Sequence, residues 1–205
     1  MTMNSLFDFD EAFKDVVKPQ HQNNGMSSRS INIKTKIKFK NKLKINHIEK
    51  ILEELPLQDE SLHIVSNRTF DYFNIIPRLI ELANQNVDTF YFSTWTMSHQ
   101  NVISIFEMFD QGIFKNIHAL TGEYFKSRET AVYSILEMGI EERKQKLFSN
   151  KNHTKVTLLE IGDEHYVIEG SANFTANPRI ENFIITNSKE LFYFHKEWMD
   201  QISKS

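Results

Sequence analysis

The sequence has no cysteine, which excludes disulfide staples and thiolate metal sites outright. No stretch approaches the roughly 20 apolar residues that a membrane helix needs. The opening segment, Met1 to Pro19, holds Asp8, Asp10, Glu11 and Asp15 and lacks a basic start followed by an apolar run. It therefore does not read as a signal peptide. No internal repeat is visible, and no spacing of histidines and acids resembles a metal site. These absences leave the expectation of a cytoplasmic protein with no metal, no cofactor and no stable membrane association.

What is present suits one well-packed domain. The chain has 205 residues, 40% of them hydrophobic, with 17 phenylalanines; that is ample for one core and short for two. Frequent Asn, Lys, Ile and Phe fit an AT-rich genome, such as that of a bacterium or its phage. The net charge of −3 hides an uneven distribution. Between residues 29 and 44 lie Arg29 and Lys34, Lys36, Lys38, Lys40, Lys42 and Lys44, with no acid. The rest of the chain is net acidic.

Residues 1–30 read as a disordered tail, polar and without apolar period beyond a possible turn around Leu6 to Phe13. Residues 31–45 form a basic strand-like segment, because lysines at even positions alternate with Ile33, Thr35, Ile37 and Phe39. Two readings fit this lysine face. One is an edge strand guarded against aggregation; the other is a ribbon that tracks phosphates, with Lys34, Lys36, Lys38 and Lys40 binding substrate.

Residues 46–205 form the main domain. The pattern predicts a short helix over 47–55, a strand over 62–66, a helix over 69–84, a strand over 89–95 and a helix over 99–109. A strand over 116–121 and one long helix over 129–148 follow, then strands over 156–161, 166–168 and 182–186. A final helix over 189–202 is capped by Asn187 or Ser188. Such alternation specifies an α/β fold with a mixed sheet flanked by helices.

One constellation carries chemistry. His153 and Lys155 stand two apart at the expected start of a strand, so both face one side of the sheet. The following hairpin returns the chain at Gly170-Ser171-Ala172-Asn173, beside that start. Gly170 allows close backbone approach to a ligand, and Ser171 and Asn173 offer hydrogen bonds. An imidazole, an ammonium, a hydroxyl and an amide together suit a phosphate group. Separately, an H-x-K pair is common and a Gly-Ser turn is ordinary turn chemistry; their order across a hairpin is what points to a site.

The expected surroundings are mostly structural. His63 and His118 read as sheet residues, His195 as helix packing, and His165 as an exposed hairpin tip beside Asp163 and Glu164. Thr94 and Trp95 close a central strand, where α/β sheets bind ligands, and are candidates to line the pocket. Arg179 has two readings, phosphate affinity or a surface ion pair.

These residues resemble the phospholipase D superfamily, whose pattern is H-x-K-x4-D, a hairpin, G-S-x-N and a downstream Glu. His153, Lys155, Gly170, Ser171, Asn173 and Glu181 stand in that order. Glu160 occupies the Asp position, and nine residues separate it from Gly170, which implies an extended hairpin tip and a structural role for Glu160. The resemblance implies a phospholipase D-like domain and a two-step reaction without metal. His153 acts as nucleophile or general acid/base, Lys155 and Asn173 hold phosphate oxygens, Ser171 donates a hydrogen bond, and Glu181 orients a His153 ring. With a single H-x-K, it also implies a homodimer that pools two half-sites. The substrate reading is DNA or RNA, a nuclease reading favoured by the basic segment. A nucleic-acid-binding protein with an idle site is the second reading, and a phospholipase the third.

Overall fold

The computed structural model describes residues 36–39, 48–67, 70–175 and 179–202, all within one unit spanning Ile33–Ser205. The expected tail over 1–30, and Lys34 and Lys40, lie outside the described residues. Among the described residues, eight strands form one mixed sheet: β1 (Lys36–Phe39), β2 (Glu60–Asn67), β3 (Thr89–Thr94), β4 (Ile117–Gly122), β5 (Lys146–Asn150), β6 (Val156–Ile161), β7 (Glu164–Gly170) and β8 (Ile180–Asn187), in the order β1-β2-β8-β7-β6-β3-β4-β5. Strands β3, β4 and β5 are mutually parallel, and β6, β7 and β8 run antiparallel to their neighbours. Strand β1, which carries Lys36 and Lys38, pairs in parallel with β2 at one margin of the sheet.

Alternation decides which face each strand buries. Phe90 and Phe92, Ile117 and Ala119, Leu159 and Ile161, Tyr166 and Ile168, and Phe183 and Ile185 all enter one continuous core. That face is covered by α1 (Ile75–Ala83), α2 (His99–Asp110), α3 (Glu123–Arg128) and α4 (Thr130–Glu142). The opposite face carries α5 (Lys189–Ile202), where Tyr91 donates from its hydroxyl to Asp200 at 3.0 Å and Phe192 packs on His165. Ser188 caps α5 by accepting from Leu191 N. No helix among the described residues is long and apolar enough to cross a membrane.

Several expectations change. The single helix over 129–148 is α4 followed by β5. Lys144 turns the chain with φ +55°, a left-handed conformation, and Gln145 N closes the helix on Ile140 O. The helix over 47–55 reduces to one tight turn, Ile48–Lys50. The β6–β7 hairpin has no extended tip. Gly162 (φ +58°) and Asp163 make a two-residue turn, and the extra residues lengthen the ladder from Val156↔Glu169 to Ile161↔Glu164. His165 is accordingly buried, not exposed: its ring lies 5.1 Å from Phe192 and 5.6 Å from Tyr193, with Nε2 3.9 Å from Glu160. Glu160 thus works at the end of β6 remote from His153.

Candidate active site at one end of the sheet

The C-terminal ends of β3, β4, β5 and β7 and the starts of β6 and β8 converge on one margin. His153 and Lys155 precede β6 rather than opening it, in the segment that follows β5. The ladder nevertheless reaches them, because Gly170 N donates to Lys155 O at 3.2 Å. The Gly170–Asn173 turn therefore lies opposite Lys155, the juxtaposition that the hairpin geometry predicts. The backbone at Gly170 approaches β8 closely: a Cβ there would meet the Phe183 ring at 2.7 Å and Asn182 O at 2.9 Å.

Two loops hold the candidate groups. The first is lashed to β3 through Asn152. Its Nδ2 donates to Ser93 Oγ at 2.9 Å, and its Oδ1 accepts from Thr154 N at 3.0 Å and from Thr154 Oγ1 at 2.7 Å. The second is pinned by Phe174, fully buried against Tyr72, Phe73 and Phe92 with ring centroids 5.0, 5.8 and 5.3 Å away. A backbone bond from Ser98 N to Phe174 O (2.8 Å) and a bond from Phe174 N to the Thr94 side-chain Oγ1 (3.2 Å) complete the pin. Thr94 is wholly buried and is a strut for this loop; it does not line a pocket.

Within this frame, Lys155 Nζ lies 2.6 Å from His153 O and 3.2 Å from His153 Nδ1. An ammonium has only hydrogens to offer, so Nδ1 accepts and the neutral ring carries its hydrogen on Nε2. Burial holds Lys155 below the ordinary lysine range, while the charge of Glu181 opposes that shift. Glu181 is itself buried and accepts a short hydrogen bond from Ser171 Oγ. Ser171 Oγ also accepts from Asn182 N at 3.1 Å. Asn173 Oδ1 accepts from Trp95 N at 3.2 Å, which leaves the two hydrogens of its Nδ2 for a ligand. Arg179 is exposed near the start of β8. Among the described residues, no three histidines and acids are grouped to hold a metal ion.

Beside His153 opens a pocket of about 560 Å³ walled by Trp95, Tyr124 and Asn152, with Lys151 and Glu123 also in its wall. The Trp95 ring lies 5.7 Å from the His153 ring. Lys155 and Asn173 are not part of this wall, so His153 stands between the pocket and the polar cluster. Sequence reasoning reached Trp95 but not Tyr124 or Asn152. An Asn preceding the H-x-K was a usable signal. Tyr124 had none, because the six-residue α3 is too short to show a period.

No family model matches the sequence, and no curated protein does. Solved structures do match in fold. A phospholipase D family member, Nuc from Salmonella typhimurium, superposes with a TM-score of 0.51 at 16% identity, over 69% of this chain and 92% of its own. NucT from Helicobacter pylori gives 0.50 at 15% identity, over 71% and 98%. A polyphosphate kinase from Porphyromonas gingivalis gives 0.56 at 13%, but this chain spans only 26% of its length. The fold is thus phospholipase D-like, an α/β arrangement with a mixed sheet flanked by helices.

Proposed function

We propose, from a phospholipase D-like fold that gathers His153, Lys155, Ser171, Asn173 and Glu181 at one sheet margin, that this protein is a metal-independent phosphodiesterase acting on DNA or RNA. The observation that carries the reading is the cross-ladder placement of the Gly170–Asn173 turn against Lys155, with Lys155 on His153. A phosphate entering there meets an ammonium, an amide N–H₂ and an imidazole together.

One chain supplies one such histidine, so the working site is a homodimer about a two-fold axis. His153 Nε2 of one subunit attacks phosphorus, and the bond to the leaving oxygen breaks. The partner subunit's His153 donates the proton that this oxygen needs. Water then attacks phosphorus as the same histidine takes a proton from it, and the P–N bond breaks. Attack requires the hydrogen on Nε2 to move to Nδ1. Substrate oxygens draw Lys155 away from Nδ1, and a Glu181 carboxylate receives the new N–H, the role a buried acid has beside a catalytic imidazole. Arg179 and the basic residues at Lys34, Lys36, Lys38 and Lys40 extend phosphate contact along the strand.

A panel of DNA, RNA and lipid-vesicle substrates in EDTA tests the reading on wild type and His153→Ala. Cleavage of nucleic acid that survives EDTA, disappears in His153→Ala and comes from a species of twice the chain mass is the expected result. Salt-sensitive nucleic-acid binding without cleavage, unchanged in His153→Ala, indicates a binding protein instead; cleavage of lipid alone indicates a phospholipase.

A further inference from the structure

The pocket beside His153 has a wall that no phosphate chemistry requires. Tyr124 stands on α3 with 57% of its surface exposed, although large aromatics are normally covered. Its ring lies 6.2 Å from Trp95 at 62°, and Arg128 stacks over it at 5.3 Å. Trp95 in turn neighbours His153. Gly122 makes this arrangement possible, since a Cβ there would meet Trp95 Cδ1 at 2.5 Å and Trp95 O at 2.9 Å. The result is an aromatic shelf continuous with the reactive imidazole.

We propose that Trp95 and Tyr124 form a nucleobase-stacking subsite, and that the strand this site takes is unpaired nucleic acid. The inference rests on the phosphodiesterase reading and adds the substrate's form to it. His153 separates the shelf from the Lys155–Asn173 cluster, so a phosphate on the cluster places its own nucleotide's base toward the shelf. A volume of about 560 Å³ accommodates a base with its sugar. Glu123 in the wall repels a second phosphate and tolerates an uncharged base. Lys151 lies in the same wall, and Arg128 sits over the Tyr124 ring. In a duplex both faces of each base are covered by neighbours and its pairing edge is used, so only an unpaired base can enter.

The test uses the full chain in EDTA with four substrates: a single strand of DNA, the same strand as RNA, the DNA annealed to its complement, and an abasic strand of equal length. Wild type is expected to cut the single strands about tenfold faster than the duplex. Tyr124→Ala is expected to lower kcat/KM on base-bearing strands about tenfold and to leave the abasic strand unaffected, while Tyr124→Phe keeps the wild-type rate. Equal rates on single strand and duplex, or an equal loss on abasic and base-bearing strands in Tyr124→Ala, would overturn the proposal. Binding is read separately from cleavage through Trp95 fluorescence in a Trp198→Phe background. Quenching by the single strand but not the duplex, retained in His153→Ala, supports the subsite even if no substrate is cut. Absence of quenching overturns it, whatever the fate of the nuclease reading.

Discussion

At the scale of single residues, the site depends on a competition for Lys155. Its ammonium rests on His153 O and Nδ1, in a half-buried position that lowers its proton affinity while Glu181 raises it. The proposed reaction needs the charged form, so activity is expected to fall as pH rises through the Lys155 pKa. Glu181→Gln removes the opposing charge and lowers that pKa further. The alkaline limb of kcat/KM against pH is therefore expected to move to lower pH in Glu181→Gln; a limb that stays in place or moves upward would contradict this. The residues of the proposed site could be picked out in the sequence because residue type and order single them out. Their supports were not. Asn152 acts through hydrogen bonds to Ser93 and Thr154, and Thr94 reads like a pocket residue until its burial is known.

At the scale of elements, the turn that carries Ser171 and Asn173 is irregular backbone pinned by the buried Phe174 and by hydrogen bonds to Ser98, Thr94 and Trp95. Phe174 fills a hole among Tyr72, Phe73 and Phe92, with the Tyr72 hydroxyl bonded to Thr157 Oγ1 and Ile168 O. Burial pushes that hydroxyl's pKa well above the tyrosine range, so it remains a donor. Phe174→Ala leaves a cavity, costs about 3–5 kcal/mol, and frees Asn173 from Trp95 N. Denaturant unfolding should show the stability loss, and residual activity should fall more than the folded fraction. The strand–helix alternation was legible because apolar period differs between the two. Strand β5 was not. Leu147 and Phe148 continue a helix-compatible run from α4, and the break lies in a left-handed Lys144, a residue type that gives no such signal.

At the scale of the whole molecule, the two sheet faces are unequal. Among the described residues, four helices bury one, and α5 lies on the other. There His118 stacks on Tyr91 at 4.1 Å, and burial, aided by Lys146 and opposed by Asp200, lowers its pKa to about 4. The unfolded chain binds that proton near the ordinary value of about 6.5. Between those values the unfolded state holds more protons, so stability falls as pH drops from about 6.5 to about 4. His118→Gln should flatten that part of a denaturation-midpoint profile; an unchanged slope would assign the loss to other groups. The fold class followed from the alternation of elements, whereas the proposed homodimer is argued from the lone H-x-K alone. The most direct measurement of the central claim is acid-free quenching of the protein during turnover on an oligonucleotide, followed by peptide mass analysis. The account predicts an acid-labile phosphoryl adduct on the peptide containing His153. Cleavage that proceeds with no adduct there, or with one on a different residue, would contradict it.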